Sequence, residues 1–203
     1  MAASAMVAVG PVDHIIKRLC DEARKIIPGK NLGAVISRKA KERIEQYITE
    51  AEGQGARVLV DGRNTVVSGM EEGYYVGPTV IDYVRPDMKI AQEEVFGPVL
   101  SIMRAKTVDE ALHIENSSPY GNAASVFTQN GGLARYVIER ASAGMIGVNI
   151  GVPVPREPFS FGGWNESKFG SGDITGKSSI EFFTKLKKTT TKWNAESKVN
   201  WMS

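Results

Sequence analysis

The sequence predicts an α/β fold built around a parallel β-sheet. Between residues 99 and 150, apolar strand-like runs alternate with helical patterns in the order strand, helix, strand, helix, strand. That order is typical of parallel βαβ units. The chain has 203 residues, of which 42% are hydrophobic and 24% are charged, as in globular domains. We therefore expect one domain, or one domain with an appendage.

The first part of the chain predicts an apolar segment followed by two helices. Residues 1–9 are small and apolar, so we expect a buried segment whose packing neighbours come from elsewhere. Apolar residues recur at helical spacing over residues 12–27, and Pro28 and Gly29 end that helix. Ser37 is the predicted N-cap of a second helix, which runs to about residue 52.

The middle of the chain predicts short strands and two further helices. Residues 57–60, 74–81 and 99–104 have an extended, apolar character. The sequence TVDE at residues 107–110 is a capping box and predicts the start of a helix. The remaining predicted elements are a strand at 123–128, a helix with apolar residues between 134 and 141 that ends at Gly144, and a strand at 145–150.

Residues 151–176 have almost no periodicity and are rich in Gly, Pro and aromatic residues. A loop of this length in a domain is usually functional, and a flexible surface loop is the alternative. We favour the functional interpretation because a flexible loop would expose its large aromatic side chains. The loop also follows a predicted strand end, where ligands bind in parallel sheets.

The C-terminal residues predict a short helix and an extended tail. Residues 178–183 form a helical turn or two, and residues 184–193 are rich in Thr and Lys. A lysine-guarded edge strand explains this composition better than a basic binding patch does. A disordered tail is the alternative, and residues 194–203 are expected to be loose apart from Trp201.

Composition and spacing argue against several classes of function. The net charge is +2, which implies no nucleic-acid partner, and no apolar run is long enough for a membrane span. His14, His113 and the single cysteine, Cys20, form no metal-ligand pattern, so we predict no metal. Cys20 lies in a predicted helix beside Asp21 and Glu22, which oppose a thiolate, so we interpret it as structural. A single cysteine is compatible with a reducing compartment.

The motif EEVFGPV at residues 93–99 carries the clearest indication of function. One carboxylate of the pair can accept two hydrogen bonds from a diol such as a ribose, and Phe96 can lie against a flat ring. A loop before a buried strand is the alternative. The motif resembles the EEIFGPV signature of the aldehyde dehydrogenase superfamily, and this resemblance favours the functional interpretation.

Two further motifs narrow the resemblance to one branch of that family. The sequence GMIGVN at residues 144–149 resembles the family's GxVxVN strand. GVPVP at 151–155 and FSFGGW at 159–164 resemble the methylmalonate-semialdehyde dehydrogenase branch. Asn165 and Lys168 depart from the PFGGxKxSGxG pattern of most aldehyde dehydrogenases. The resemblance is collinear with the C-terminal two-fifths of such an enzyme.

The resemblance implies an NAD-dependent, CoA-acylating enzyme that oxidises malonate or methylmalonate semialdehyde to an acyl-CoA. It implies that Glu94 binds the nicotinamide ribose, that Phe96 lies beside the nicotinamide and that Phe161 lines the aldehyde pocket. Residues 1–177 would form the catalytic-type domain of a Rossmann-like fold. Residues 178–203 would form a tail whose strand joins subunits of a homo-oligomer.

The resemblance also implies that the catalytic cysteine is not among these 203 residues. In this branch the nucleophile lies in a motif like GQRCMA, and Met1 aligns with the position after that cysteine. We therefore expect no catalytic residue, no N-terminal cofactor domain and no activity of the chain alone. The expected location is cytoplasmic, with a mitochondrial one left open. The alternative function is a non-catalytic module that acts through self-association.

Overall fold

The computed structural model describes residues 2–173 and 175–193. The predictions for residues 194–203, including Trp201, lie outside this range. The chain contains eight strands and six helices within the described residues. The helices are α1 (Asp13–Ala23), α2 (Arg38–Gly53), α3 (Lys89–Gln92), α4 (Val108–Asn116), α5 (Gly131–Arg140) and α6 (Ser178–Phe183). The strands are β1 (Ala5–Val9), β2 (Arg57–Val60), β3 (Thr79–Asp82), β4 (Val99–Ala105), β5 (Tyr120–Gly121), β6 (Ala123–Val126), β7 (Met145–Val148) and β8 (Trp164–Asn165).

A four-stranded sheet with the order β1-β4-β3-β2 organises the first half of the chain. β4 is parallel to both β1 and β3, whereas β2 is antiparallel to β3. The fold is therefore α/β with a mixed, mostly parallel sheet, which confirms the predicted fold class.

The predicted single βαβαβ sheet is wrong in one respect. β6 and β7 are parallel, as expected for strands joined by α5, but they form a separate two-stranded sheet. β5 and β8 form a second, antiparallel pair. The prediction failed because local periodicity identifies strands but does not specify which strands pair.

The apolar start of the chain differs from its prediction. β1 pairs with β4 of the same chain, so its neighbour does not come from elsewhere. Ala8 is the only fully buried residue of β1, and Ala5 is exposed. β1 lies at the end of the strand order, which explains why an apolar strand is only partly covered.

The N-termini of the helices agree with the predicted N-caps more closely than their C-termini agree with the predicted ends. The hydroxyl of Ser37 accepts a hydrogen bond from the Ala40 amide at 3.1 Å, and Thr107 accepts one from the Glu110 amide at 3.1 Å. α1 ends at Ala23, earlier than predicted. Bonds from Lys25 and Ile26 to carbonyls three residues back replace the α-helical pattern there.

Two clusters of apolar side chains pack on opposite faces of the four-stranded sheet. Val80 and Ile102 join Ile16 of α1 in one cluster, whereas their strand neighbours Ile81 and Met103 pack with α2 in the other. This alternation is the two-residue period of a strand. The sheet therefore has a helix layer on each side.

The C-terminal elements carry little buried surface. α6 forms at the predicted position but contains no buried residue. Residues 184–193 form neither helix nor strand, so the predicted oligomerisation strand is not confirmed within the described residues. No helix in the described ranges has the length and apolar character that a membrane span requires.

Candidate functional site

The segment at residues 93–97, between α3 and β4, buries Val95 and exposes its charged and aromatic residues. Val95 is buried, and Glu93 accepts a hydrogen bond from the Tyr47 hydroxyl. Glu94 and Phe96 point outward, and 70% of the Phe96 surface is exposed. The two residues that the sequence predicted as cofactor contacts are therefore both exposed on this segment, which we call the EEVFG loop.

Side chains of helix α2 form hydrogen bonds with the EEVFG loop. Arg43 donates a hydrogen bond from Nη2 to the Val95 carbonyl at 3.1 Å. One turn further along α2, Tyr47 donates its hydroxyl hydrogen to the Glu93 carboxylate. This hydrogen bond raises the pKa of Tyr47, and burial of the ring raises it further. The contacts fix the backbone on both sides of Glu94.

Close packing at Gly97 completes this support. A Cβ atom at Gly97 would lie only 2.7 Å from Cδ1 of Ile44 on α2, so the loop approaches the helix as closely as glycine permits. Phe96 has a φ of 53°, in the left-handed region that non-glycine residues rarely adopt. The carbonyl of Pro98 accepts a hydrogen bond from Thr79 of β3 at 2.8 Å. The loop is therefore tied to the sheet as well as to α2.

The Glu94 carboxylate makes no hydrogen bond or ion pair with any residue that the structure describes. An exposed carboxylate with both oxygens free can accept two hydrogen bonds from adjacent hydroxyl groups. Phe96, two residues later, offers an exposed ring for stacking. The geometry is thus suited to a ligand that combines a diol with a flat ring.

Phe161 lies in the second candidate loop, between β7 and β8. Its ring is 37% exposed, and its amide donates a hydrogen bond to Thr175 Oγ1 at 2.7 Å. Within the described residues, no hydrogen bond or ion pair joins this loop to the EEVFG loop. The structure therefore does not link Phe161 to Glu94 and Phe96 through polar contacts.

The loop at residues 151–176 has internal polar contacts, but its aromatic side chains are exposed. Lys168 pairs with Asp173 at 2.9 Å, and Ser160 hydrogen-bonds Ser178 of α6 at 2.8 Å. Phe159, Trp164 and Phe169 are nevertheless exposed. The expectation that the aromatics of this loop avoid solvent is wrong for the chain as it stands, because the loop packs on few apolar neighbours.

Cys20 is buried on α1, with 4% of its surface exposed. Burial raises the pKa of the thiol; nearby Arg24 lowers it, and Asp21 and Asp82 raise it. Such a thiol is a poor nucleophile. Among the described residues, we also find no group of three or more His, Cys, Asp or Glu side chains that could hold a metal.

Sequence reasoning missed Arg43 and Tyr47, which position the loop. Tyr47 lies at the border of the apolar face of α2, and an aromatic hydroxyl at such a border often has a buried polar partner. That position was the only available signal, because Tyr47 and Glu93 are 46 residues apart.

Comparisons with known proteins identify the family of the chain. The sequence model described as "Aldehyde dehydrogenase family" matches residues 1–189. Malonate-semialdehyde dehydrogenase 1 of Geobacillus thermodenitrificans is 42% identical over 201 residues, which are 95% of this chain and 41% of that protein. A protein of Dictyostelium discoideum is 40% identical over 200 residues, which are 95% of this chain and 38% of that protein. Its name describes it as an acylating, mitochondrial methylmalonate-semialdehyde/malonate-semialdehyde dehydrogenase.

A solved structure has the same fold. The crystal structure of a protein named as a methylmalonate-semialdehyde dehydrogenase from Sinorhizobium meliloti, complexed with NAD, superimposes with a TM-score of 0.90 at 37% identity. The match covers 95% of this chain and 41% of that one. The chain thus spans about two-fifths of the length of the proteins that it matches.

Proposed function

Because this chain belongs to the aldehyde dehydrogenase family, we propose that it contributes the C-terminal, catalytic-domain part of an NAD-dependent semialdehyde dehydrogenase. The names of relatives at 40–42% identity support malonate or methylmalonate semialdehyde as the substrate. The word "acylating" in the name of the Dictyostelium protein supports CoA as the acyl acceptor.

The observation that carries this proposal is the outward pair Glu94 and Phe96 on the EEVFG loop. With NAD bound, Glu94 would accept hydrogen bonds from the ribose hydroxyls next to the nicotinamide, and Phe96 would lie beside the nicotinamide ring. NAD supplies the hydride acceptor when it is bound. The role of the chain's own residues is to fix the cofactor's orientation, which Arg43 and Tyr47 assist by holding the loop. The NAD complex of the Sinorhizobium meliloti protein supports NAD as the cofactor.

The substrate side of the proposal involves Phe161 and a cysteine other than Cys20. Phe161 provides an apolar wall for the aldehyde. The nucleophile that forms a hemithioacetal, and after hydride transfer a thioester, must be an accessible thiol. Cys20 is buried with a raised pKa, so we assign the nucleophile to a residue outside these 203.

The test has two arms. The chain alone is incubated with NAD, CoA and malonate semialdehyde, and NADH is followed by absorbance; no turnover is expected. In the second arm, the chain is joined to the N-terminal segment of the Geobacillus thermodenitrificans relative that it does not match. We expect NADH formation there that depends on CoA.

Cys20→Ser is the control variant in both arms. It should leave turnover of the joined protein unchanged, because Cys20 contributes packing and no chemistry. Turnover by the chain alone that Cys20→Ser abolishes would show that the nucleophile has been assigned wrongly. Absence of turnover in the joined, folded protein would overturn the proposed function.

A second candidate function is a non-catalytic module that acts through self-association. The observation in its favour is the group of exposed apolar side chains near the C-terminus: Ile180, Phe182, Phe183, Leu186 and Trp193. Burial of these side chains between two copies of the chain would make a homo-oligomer, whether the chain is part of an enzyme or a non-catalytic module. The proposed location is the cytoplasm, and the name of the Dictyostelium relative keeps the mitochondrion open.

A further inference from the structure

A cleft of about 390 Å³ lies between α1 and residues of β2, β3 and β4. It contains none of Glu94, Phe96 or Phe161, so it is separate from the proposed cofactor loop. Four cationic side chains and three carboxylates line it, together with the ring of Tyr83. Its volume lies within the range of small-molecule sites.

One side of the cleft is formed by a network of hydrogen bonds centred on Asp82. This carboxylate is buried, and it accepts hydrogen bonds from Arg104 Nε at 2.9 Å, from Arg104 Nη2 at 2.7 Å and from the Tyr83 amide at 2.8 Å. Arg104 Nη2 also reaches Asp13 at 2.8 Å. Both carboxylates are therefore already engaged by protein donors.

The opposite side of the cleft is formed by α1. Asp21 pairs with Lys17 at 2.9 Å and with Arg24 at 3.3 Å. Arg24 also donates a hydrogen bond to the Leu59 carbonyl of β2 at 3.0 Å. All three carboxylates of the cleft thus have cationic partners, and four cations against three carboxylates leave a formal charge of +1.

Arg57 is the cation of the cleft that pairs with no carboxylate of the described residues. Its guanidinium makes no hydrogen bond or ion pair with any described residue, and its Cζ lies 4.6 Å from the centroid of the Tyr83 ring. Arg104 Cζ lies 5.2 Å from the same centroid. Contact with the ring face leaves the N–H groups at the guanidinium edge free to donate. Tyr83 itself is held at a φ of 57°, in the left-handed region.

We propose that this cleft binds a small phosphate-bearing anion, with Arg57 as the donor fork and Tyr83 as the platform that orients it. A guanidinium matches two oxygens of a phosphoryl group in one plane. Lys17 and Arg24 lie across the cleft and add positive charge on the other side. Asp13 and Asp82 share the single cation Arg104, whereas Asp21 lies between the two cations Lys17 and Arg24. The net positive charge that attracts the anion therefore comes from Arg57 together with the Lys17 and Arg24 side of the cleft.

The test measures binding of inorganic phosphate and of glycerol 3-phosphate to the chain by calorimetry and by chemical-shift changes at Tyr83. Saturable binding is expected for at least one of them. Preference for inorganic phosphate would indicate a free ion as ligand, and preference for glycerol 3-phosphate would indicate a phosphoryl group on a larger molecule.

Arg57→Gln should weaken binding about tenfold through loss of a charge-assisted pair. Arg57→Lys keeps the charge but loses the fork, so it should also weaken binding. Tyr83→Asn removes the ring while tolerating the left-handed backbone, and should weaken binding without unfolding the chain.

Arg18→Gln is the matched control, because Arg18 is exposed on α1 and does not line the cleft. It should leave phosphate binding unchanged. The proposal is overturned if neither probe binds saturably, or if Arg18→Gln and Arg57→Gln weaken binding equally, which would indicate only the net charge of the surface.

Discussion

The two halves of the chain differ sharply in how they cover their apolar side chains. Both core clusters draw their buried residues from between Ala8 and Met103. From residue 120 onward, by contrast, large apolar side chains are mostly exposed, among them Phe127, Phe159, Phe169 and Phe183. The first half therefore completes its own core, whereas the second half leaves many of its large apolar side chains exposed. Such exposed apolar surface is expected of a chain that spans about two-fifths of the length of the relatives that it matches.

The largest effect on the free energy of unfolding is expected when the same substitution, Ile to Ala, is made in each half of the chain. Ile81 is completely buried in β3, whereas Ile180 of α6 is 68% exposed. Ile81→Ala should lower the free energy of unfolding by about 2–5 kcal/mol, since it leaves a cavity. Ile180→Ala should change it by less than about 0.5 kcal/mol. Urea unfolding of both variants measures the difference, and equal losses would refute the contrast.

The second prediction concerns Glu94, at the boundary of the well-packed half. In the protein joined to its N-terminal segment, Glu94→Gln should raise the KM for NAD roughly tenfold, because a charge-assisted hydrogen bond is lost. The melting temperature should not change, because Glu94 is exposed. Steady-state kinetics at varied NAD measure the first quantity and calorimetry the second. A large fall in melting temperature with unaltered NAD kinetics would make Glu94 structural.

The third prediction tests how α2 stabilises the EEVFG loop. Tyr47→Phe removes the hydrogen bond to Glu93 and should cost about 0.5–1.5 kcal/mol. The folded-state pKa of Tyr47 is raised above its ordinary value of 10.0, so this contribution is fully present below about pH 10 and is lost as the pH rises through the folded-state pKa. Unfolding of wild type and Tyr47→Phe between pH 7 and 11 should show the difference shrinking at high pH. A difference that is constant or grows with pH would exclude this origin.

The smallest expected effect on folding is removal of the tail. A chain that ends at Gly176 loses α6, which contains no buried residue, so its melting temperature should stay within a few degrees. Its self-association should fall, because the exposed Phe182, Phe183 and Leu186 are removed. Sedimentation at tens of micromolar compares the two chains. If both are monomers, the tail does not join subunits in this chain.

The elements that the sequence predicted best are those determined by adjacent residues. The caps at Ser37 and Thr107, strand Arg57–Val60 and helix α6 all lie where the local pattern placed them. The chain's family was accessible from the motif at residues 93–99, and the branch named by its relatives was accessible from the motifs at residues 151–164. Each motif is a short run of adjacent residues, so it can be identified without knowing which distant residues it contacts.

The features that the sequence did not predict depend on distant partners. The pairing of β1 with β4 joins residues about 96 positions apart, such as Ala5 and Ser101. The separate β6–β7 sheet and the support of Glu93 by Tyr47 are likewise non-local. The role of Phe161 stays a prediction, because the described contacts do not connect it to the EEVFG loop.

The support of the EEVFG loop by α2 also determines how that loop can move. Ile44 and Tyr47 belong to the larger core cluster, and Val95 does too. Segments that share a core open together with it as one cooperative unit. A surface loop that presents two exposed side chains would then be as slow to open as the sheet beneath it. Ligand binding at Glu94 and Phe96 would meet a preformed surface and would lose little conformational entropy on ordering it.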